Sequence, residues 1–154
     1  PPERFAAIAA HLGRRHQLPS LITWFGQESR ATANSIATES SSHASVAPTL
    51  RLSELAALLS GACLFVGTES GPLHLAAAVN THCVGLYGET SPTAWGPYGS
   101  GHIVLQPVEA EVGGARRIRE ENVLWGVEAF AVCTACDEVL GERPGLAAET
   151  PQAA

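Results

Sequence analysis

The fold of this chain is decided by one stretch, Gly67-Thr68-Glu69-Ser70-Gly71-Pro72-Leu73-His74-Leu75-Ala76-Ala77-Ala78. The apolar run before it is typical of a buried strand, and the alanine and leucine residues at its end are typical of a helix. Ser70 is a preferred N-cap residue, because its oxygen can accept a hydrogen bond from a free N–H of the first turn. Pro72 fits that turn, which needs no N–H there, and Gly71 lets a ligand approach the backbone. The remaining free N–H groups and the helix dipole favour an anion at such a junction.

Short apolar runs alternate with amphipathic segments on both sides of this stretch. The runs predict strands over residues 18–25, 64–67, 83–88 and 102–106, with a brief strand at Val46-Ala47. The helical period predicts helices over residues 5–12, 28–36, 52–59, 71–79 and 120–140, with Ser53 or a neighbour capping the third. This alternation predicts an α/β fold, a Rossmann-like parallel sheet with helices on both faces.

Two segments lack an apolar period. Residues 38–47 are rich in serine and predict a surface loop. Residues 89–101 are rich in glycine and proline and predict a loop with at most one helical turn, at 92–95. We expect residues 1–140 to form one domain and residues 141–154 to form a disordered tail.

Composition argues against some classes of function. The chain has 9 Lys and Arg against 15 Asp and Glu, a net charge of −6, and no basic block. It is therefore not expected to bind nucleic acid or an anionic lipid surface, although backbone dipoles can still bind a small anion. No apolar run approaches the ~20 residues of a membrane span. The chain starts with Pro1-Pro2 and contains no methionine, so we expect it to be a piece of a longer protein.

The turn after the third predicted strand and the loop rich in glycine and proline define a candidate site. In an open α/β sheet, ligands bind beyond the carboxyl ends of the strands, and both segments follow strands. We therefore expect a ligand that bears an anion to be held between them. The groups that would contact a phosphate are the hydroxyl of Ser70 and the amides of Gly71, Leu73 and His74. The imidazole of His74 could add a hydrogen bond or a positive charge.

Structural roles are open for the same residues. His74 could form a hydrogen bond only to its own loop. Trp95 and Tyr98 could pack over the edge of the sheet. The sequence contains neither a Walker motif nor GxGxxG, so spacing alone does not name the ligand.

The four cysteines are interpreted as unpaired thiols. Cys63 and Cys83 lie in apolar runs, where a thiol behaves as a small hydrophobic group. Cys133 and Cys136 have the spacing of a redox pair or of half a zinc site, but we find no second pair and no histidine pair at ligand spacing. We therefore favour thiols in a reducing compartment and predict no metal site.

Three segments of the chain combine into a longer motif. They are Thr68-Glu69-Ser70-Gly71-Pro72-Leu73-His74-Leu75-Ala76-Ala77-Ala78, then Val84-Gly85-Leu86-Tyr87-Gly88, and then Ser91-Pro92-Thr93-Ala94-Trp95-Gly96-Pro97-Tyr98-Gly99. This combination resembles the carboxyl-terminal domain of the glycosyltransferase family 9 (heptosyltransferase) enzymes. They typically read D-[ST]-G-x-x-H-L-A-A-A, a strand, and T-D-P-x-x-W-G-P-Y-G. The first residues, Pro1-Pro2-Glu3-Arg4-Phe5-Ala6, resemble the W-P-x-E-R-F-A helix start of that family.

The resemblance implies a GT-B architecture, in which two Rossmann-like domains enclose the active site. This chain would be most of the second domain, which binds the nucleotide-sugar donor, with ADP-heptose the expected donor. The enzyme would be an inverting transferase of lipopolysaccharide or related glycan synthesis that uses neither a metal nor a cofactor. The residues that would line the donor diphosphate site are Ser70, Gly71, Pro72, Leu73 and His74.

Four further residues are candidates for the donor site. Glu28 is the nearest match to a family glutamate that binds the nucleoside ribose, and Glu69, Thr90 and Trp95 lie within the two motif loops. Glu69 departs from the family pattern because it replaces the usual aspartate. The segment Glu89-Thr90-Ser91-Pro92 departs too, because it replaces G-P-T-D-P and adds a carboxylate near the diphosphate.

The resemblance places the catalytic machinery outside this chain. The general base for the acceptor hydroxyl is expected in the missing amino-terminal GT-B domain, so we predict no catalytic residue here and no transfer by the chain alone. The protein would be cytoplasmic, or held peripherally at the inner face of the bacterial inner membrane. Two alternatives are a stand-alone nucleotide-sugar-binding module with a separately encoded partner, and an inert remnant.

Overall fold

Helices and strands alternate in the computed structural model, which describes residues 1–107 and 126–141. The elements are α1 (Pro2–His16), β1 (Ser20–Ile22), α2 (Gly26–Glu39), β2 (Ala44–Val46), α3 (Leu52–Ser60), β3 (Phe65–Thr68), α4 (Gly71–Ala78), β4 (Cys83–Leu86), α5 (Pro92–Trp95), β5 (Ile103–Leu105) and α6 (Ala129–Gly141). No helix within these described ranges is long and apolar enough to cross a membrane.

All the paired strands are parallel, which confirms the predicted α/β fold. β1 pairs with β2, and a second sheet has the order β3-β4-β5. In this second sheet the register pairs Thr68 with Leu86, and Leu86 with Leu105. These residues end their strands, so the three carboxyl ends meet at one edge.

Strand β4 lies between two apolar clusters. Val84 and Leu86 pack in one cluster with buried residues of α1 and α6. Cys83 and Tyr87 pack in the other cluster with buried residues of α3 and α4. Because successive side chains of a strand point to opposite faces, the helices cover both faces of this sheet, as predicted.

Gly85, in the middle of β4, is required by close packing. A Cβ at this position would lie 2.9 Å from Cε2 of Tyr87 and 3.2 Å from Cδ2 of Leu73. These side chains belong to the core under α4, where both are fully buried. The glycine therefore lets α4 pack directly against β4.

The surface loop predicted over residues 38–47 is wrong. Helix α2 continues to Glu39, and Ala44–Val46 form strand β2 beside β1. Ser40 is buried between them, where its hydroxyl donates to the carbonyl of Ala37 (2.8 Å) and accepts the N–H of Ala44 (3.0 Å). Hydrogen bonds of a serine order this segment, so a search for apolar periodicity does not detect it.

Several predicted boundaries also differ. The first strand is shorter than residues 18–25, and the second begins two residues before Val46. Helix α3 is capped at Arg51, whose N–H donates to Glu54 Oε2 (2.7 Å), and not at Ser53. Helix α6 begins at Ala129, so the predicted helix from residue 120 is not continuous, because residues 127 and 128 are not helical. Residues 120–125 and the predicted tail beyond Gly141 lie outside the described residues.

Candidate functional site

The candidate site is the edge where β3, β4 and β5 end. The turn 69–70 leads from β3 into α4, and residues 87–102 lead from β4 through α5 to β5. The backbone N–H of Glu69 donates to the carbonyl of Leu86 (3.0 Å), and that of Tyr87 donates to the carbonyl of Leu105 (2.9 Å). The two predicted loops therefore start side by side.

Ser70 occupies the N-cap position of α4, as predicted, but its hydroxyl does not cap the helix. The hydroxyl donates instead to the carbonyl of Thr68, at 3.0 Å. The carbonyl of Ser70 accepts the N–H groups of Leu73 (3.1 Å) and His74 (3.4 Å). Two of the three amides predicted to contact a phosphate thus have an internal acceptor. Among the described residues, the N–H of Gly71 has none.

The structure leaves the space in front of Gly71 open. A Cβ on this residue would meet no atom of the described residues within 4 Å, and the φ of Gly71 lies outside the left-handed region. Neither backbone conformation nor internal packing therefore requires glycine here. Open space beside a free N–H at the start of a helix is what a phosphate oxygen needs.

Side-chain hydrogen bonds join the two loops. The hydroxyl of Thr90 donates to the carboxylate of Glu69. Gln106, just after β5, donates to the carbonyls of Gly88 (3.2 Å) and Thr90 (2.9 Å). The sequence-based prediction missed Gln106, although its place at the end of a strand on this edge was a usable signal. Glu69 and Thr90 are thus brought together as a pair, and Gln106 orders the second loop.

The segment around Trp95 is held in place by a hydrogen bond from Tyr87. The buried Tyr87 hydroxyl donates to the carbonyl of Trp95 at 2.7 Å. Burial, with the nearby Glu69 and Cys83 groups, raises the pKa of Tyr87, so this hydroxyl stays protonated and remains a donor. The side chains of Trp95 and Tyr98 are 59% and 91% exposed, so they do not pack over the sheet edge. This edge therefore presents two aromatic side chains to solvent.

His74 and Glu28 lie in different surroundings. His74 is exposed in the first turn of α4, and none of the described residues forms a hydrogen bond with its imidazole. Glu28 is exposed in the first turn of α2, which follows β1 of the other sheet. No hydrogen bond or ion pair in the described part of the chain joins its carboxylate to the Ser70 turn. The role of Glu28 at the donor site stays a prediction.

Replacing Tyr87 by phenylalanine is expected to lower the free energy of unfolding by about 1 kcal/mol, because the carbonyl of Trp95 loses its donor. Chemical denaturation measures this. Tyr98→Phe removes the same hydroxyl from an exposed side chain and is expected to change stability by less than about 0.5 kcal/mol. Equal effects in the two variants would show that the hydrogen bond to Trp95 contributes nothing.

Comparison with curated proteins finds heptosyltransferases. Lipopolysaccharide heptosyltransferase 3 of Escherichia coli is 35% identical over 89 residues, which cover 56% of this chain and 26% of that protein. Lipopolysaccharide heptosyltransferase 1 of Salmonella typhimurium (strain LT2) is 32% identical over 96 residues, which cover 62% of this chain and 29% of that protein. This chain thus matches less than a third of the length of either relative.

Solved structures share the fold. The E. coli heptosyltransferase WaaC with ADP has a TM-score of 0.75 at 24% identity, over 90% of this chain and 39% of that one. The family 9 glycosyl transferase from Veillonella parvula DSM 2008 has a TM-score of 0.79 at 27% identity, over 93% of this chain and 42% of that one. The similarity to both structures agrees with the predicted α/β fold.

A sequence model of one family matches most of the chain. The model describes Glycosyltransferase family 9 (heptosyltransferase), and it matches residues 1–117. This match confirms the resemblance found in the motif loops, and it contains the β3–α4 turn and the segment around Trp95. The chain belongs to glycosyltransferase family 9.

Proposed function

We propose that this chain binds the diphosphate of a nucleotide-sugar donor, ADP-heptose or a close analogue, at the start of α4. It would be the donor-binding half of an inverting heptosyltransferase that acts in the synthesis of lipopolysaccharide or a related glycan. The observation that carries this proposal is the open space that the described residues leave in front of Gly71, beside an N–H that has no acceptor among them.

Charge and exposure around the turn support an anionic ligand. The start of α4 presents the positive end of the helix dipole, and the exposed imidazole of His74 lies within its first turn. The nearby carboxylate of Glu69 would repel a diphosphate, but it accepts a hydrogen bond from Thr90. In this arrangement Glu69 helps to order the loop after β4 through Thr90, while Gly71 and His74 face the ligand.

The exposed aromatic side chains support a nucleotide in particular. Trp95 and Tyr98 follow β4 on the same edge, and they offer flat apolar surfaces to solvent. Such surfaces can stack on a base or pack against a sugar ring. The relative WaaC has ADP in its solved structure, and its fold covers 90% of this chain.

We further propose that transfer itself needs a second domain in addition to the region described here. The match spans 39% of WaaC and 42% of the Veillonella protein. Inverting transfer requires a general base and an acceptor hydroxyl held across from the donor. The chain would supply the donor side of that cleft, in the cytoplasm or at the inner face of the inner membrane.

Isothermal titration calorimetry with ADP and with ADP-heptose tests the donor site. We expect saturable binding of one nucleotide per chain in the micromolar to millimolar range. The double variant Ser70→Ala, His74→Ala is expected to weaken binding at least about tenfold, because it removes polar groups from the turn. Ser60→Ala is a matched control, since the Ser60 hydroxyl also donates to a backbone carbonyl but lies at the far end of α3.

Two results would contradict the proposal. A folded protein that binds no ADP at millimolar concentration would favour the inert remnant. A double variant that binds ADP as tightly as the Ser60→Ala control would show that the nucleotide lies elsewhere.

A further inference from the structure

Two histidines and one aspartate meet where α1 packs against α6. Nε2 of His11 lies 2.8 Å from Oδ1 of Asp137, and Nε2 of His16 lies 2.6 Å from the same oxygen. The centroids of the two imidazole rings are 6.2 Å apart. Two nitrogen donors and one oxygen donor thus converge on one point, far along the chain from the Ser70 turn.

We propose that His11, His16 and Asp137 bind a divalent transition-metal ion such as Zn²⁺. The three ligand atoms lie within 4.8 Å of one another. Two imidazole nitrogens with one carboxylate oxygen are a ligand set that zinc uses in proteins. This site is separate from the proposed donor site, and its existence does not depend on donor binding.

The distances require only a small adjustment to admit an ion. Zinc binds imidazole nitrogen and carboxylate oxygen at about 2.1 Å, so its ligand atoms lie roughly 3.0–3.4 Å apart. The two nitrogen–oxygen separations of 2.8 and 2.6 Å would need to grow by a few tenths of an ångström, and the two Nε2 atoms, now within 4.8 Å of each other, would need to reach a similar spacing. Each imidazole would then be neutral and carry its proton on Nδ1, which leaves Nε2 free to bind the ion. The three side chains are 22–28% exposed. Because they are partly exposed, they can rotate to supply that shift and an ion can reach them from solvent.

Asp137 is prepared to act as a ligand. An aspartate carboxylate is ordinarily ionised at neutral pH, and Oδ1 of Asp137 already lies next to Nε2 of both imidazoles. Nε of Arg15 lies 3.1 Å from Oδ2, so it can hold the carboxylate while Oδ1 faces the ion.

The nearby thiols are poor competitors for the ion. Cys136 has no exposed surface, so its thiol is closed to an ion that enters from solvent. Among the described residues, the ligand atoms that converge are those of His11, His16 and Asp137, and neither thiol belongs to that group. The pair with CxxC spacing is not the metal site that the structure indicates. The ion would instead crosslink the end of α1 to the middle of α6.

Titration of the metal-free protein with ZnCl₂ tests this proposal. After dialysis against a chelator, calorimetry is expected to show one Zn²⁺ per chain. At a hundredfold excess over the dissociation constant, Zn²⁺ is expected to raise the midpoint of thermal unfolding by about 5–10 °C. Mg²⁺ is expected to have no such effect, since it prefers oxygen ligands. Wild-type protein that is folded and takes up no Zn²⁺ would overturn the proposal, and the cluster would then be an ion-paired contact only.

Matched variants locate the ion. Asp137→Asn is expected to weaken Zn²⁺ binding at least about tenfold, whereas Glu138→Gln, the same change on the exposed neighbour, leaves it unchanged. Cys133→Ser is also expected to retain binding. Because Asp137→Asn can reduce stability, NMR of the wild-type imidazoles provides a second measurement, in which Zn²⁺ shifts the Nε2 resonances of His11 and His16. Unshifted resonances in Zn²⁺-loaded protein, or loss of binding in Cys133→Ser, would overturn the assignment.

Discussion

Leu73→Ala is expected to lower the free energy of unfolding by about 3 kcal/mol, because it removes three carbon atoms from a site with no exposed surface. Leu73 lies in the first turn of α4 and packs in the cluster that contains Leu55, Leu59 and Tyr87. Its Cδ atoms also face Gly85 across the interface with β4. Main-chain atoms of a strand and a helix fix the shape of this site, so it cannot collapse around the cavity. Urea denaturation measures the loss.

The control for this prediction is Leu52→Ala, the same truncation on a side chain that is 72% exposed. We expect it to change stability by less than about 0.5 kcal/mol. Because the N–H of Leu73 bonds to the carbonyl of Ser70, the cavity should also loosen the turn and weaken ADP binding. If Leu73→Ala lowered the free energy of unfolding no more than Leu52→Ala does, α4 would not be fixed on β4 in the way described.

Gly71→Ala is expected to weaken ADP binding at least about tenfold while leaving stability unchanged or slightly higher. Alanine favours a helix over glycine by roughly 0.5–1 kcal/mol, and the added Cβ meets no atom within 4 Å in the part of the chain that the structure describes. The same Cβ would occupy the space through which a phosphate reaches the N–H of Gly71. Calorimetry and thermal unfolding together separate the two effects.

Gly141→Ala is a matched control for that experiment. Gly141 is also a helical glycine, and a Cβ built on it would meet no atom of the described residues within 4 Å, but it ends α6. We expect this variant to bind ADP like the wild type. If Gly71→Ala also bound ADP normally while the wild type bound it well, the donor would lie at this edge without contacting the start of α4.

Much of the fold could be predicted from the sequence because its signals are local. The apolar run before Gly67 and the alanine-rich segment after it formed β3 and α4. The segment around Ser40 could not be predicted in that way, since hydrogen bonds of its hydroxyl to Ala37 and Ala44 order it without an apolar pattern. The spacing of apolar residues indicates which apolar side chains are buried. It does not indicate which polar side chains are buried with their hydrogen bonds satisfied.

The position of the candidate site was predictable, but its hydrogen bonds were not. The place of the Ser70 turn follows from the order of strand, turn and helix. The direction of the Ser70 hydroxyl depends on competition between the carbonyl of Thr68 and the helix N–H groups, and the backbone of the turn decides it. The meeting of His11 and His16 was missed because five residues is not the spacing of a shared helix face; His16 is the last residue of α1.

Helix α1 determines whether the protein unfolds in one step or in two. The β1–β2 sheet and the β3–β5 sheet share no backbone hydrogen bond among the described residues. Ile8 and Leu12 of α1 nevertheless belong to the cluster on β4, and α1 also packs on α2 beside the smaller sheet. Among the described elements, α1 thus packs against parts of both sheets, and hydrogen exchange in both sheets should respond together when α1 is weakened.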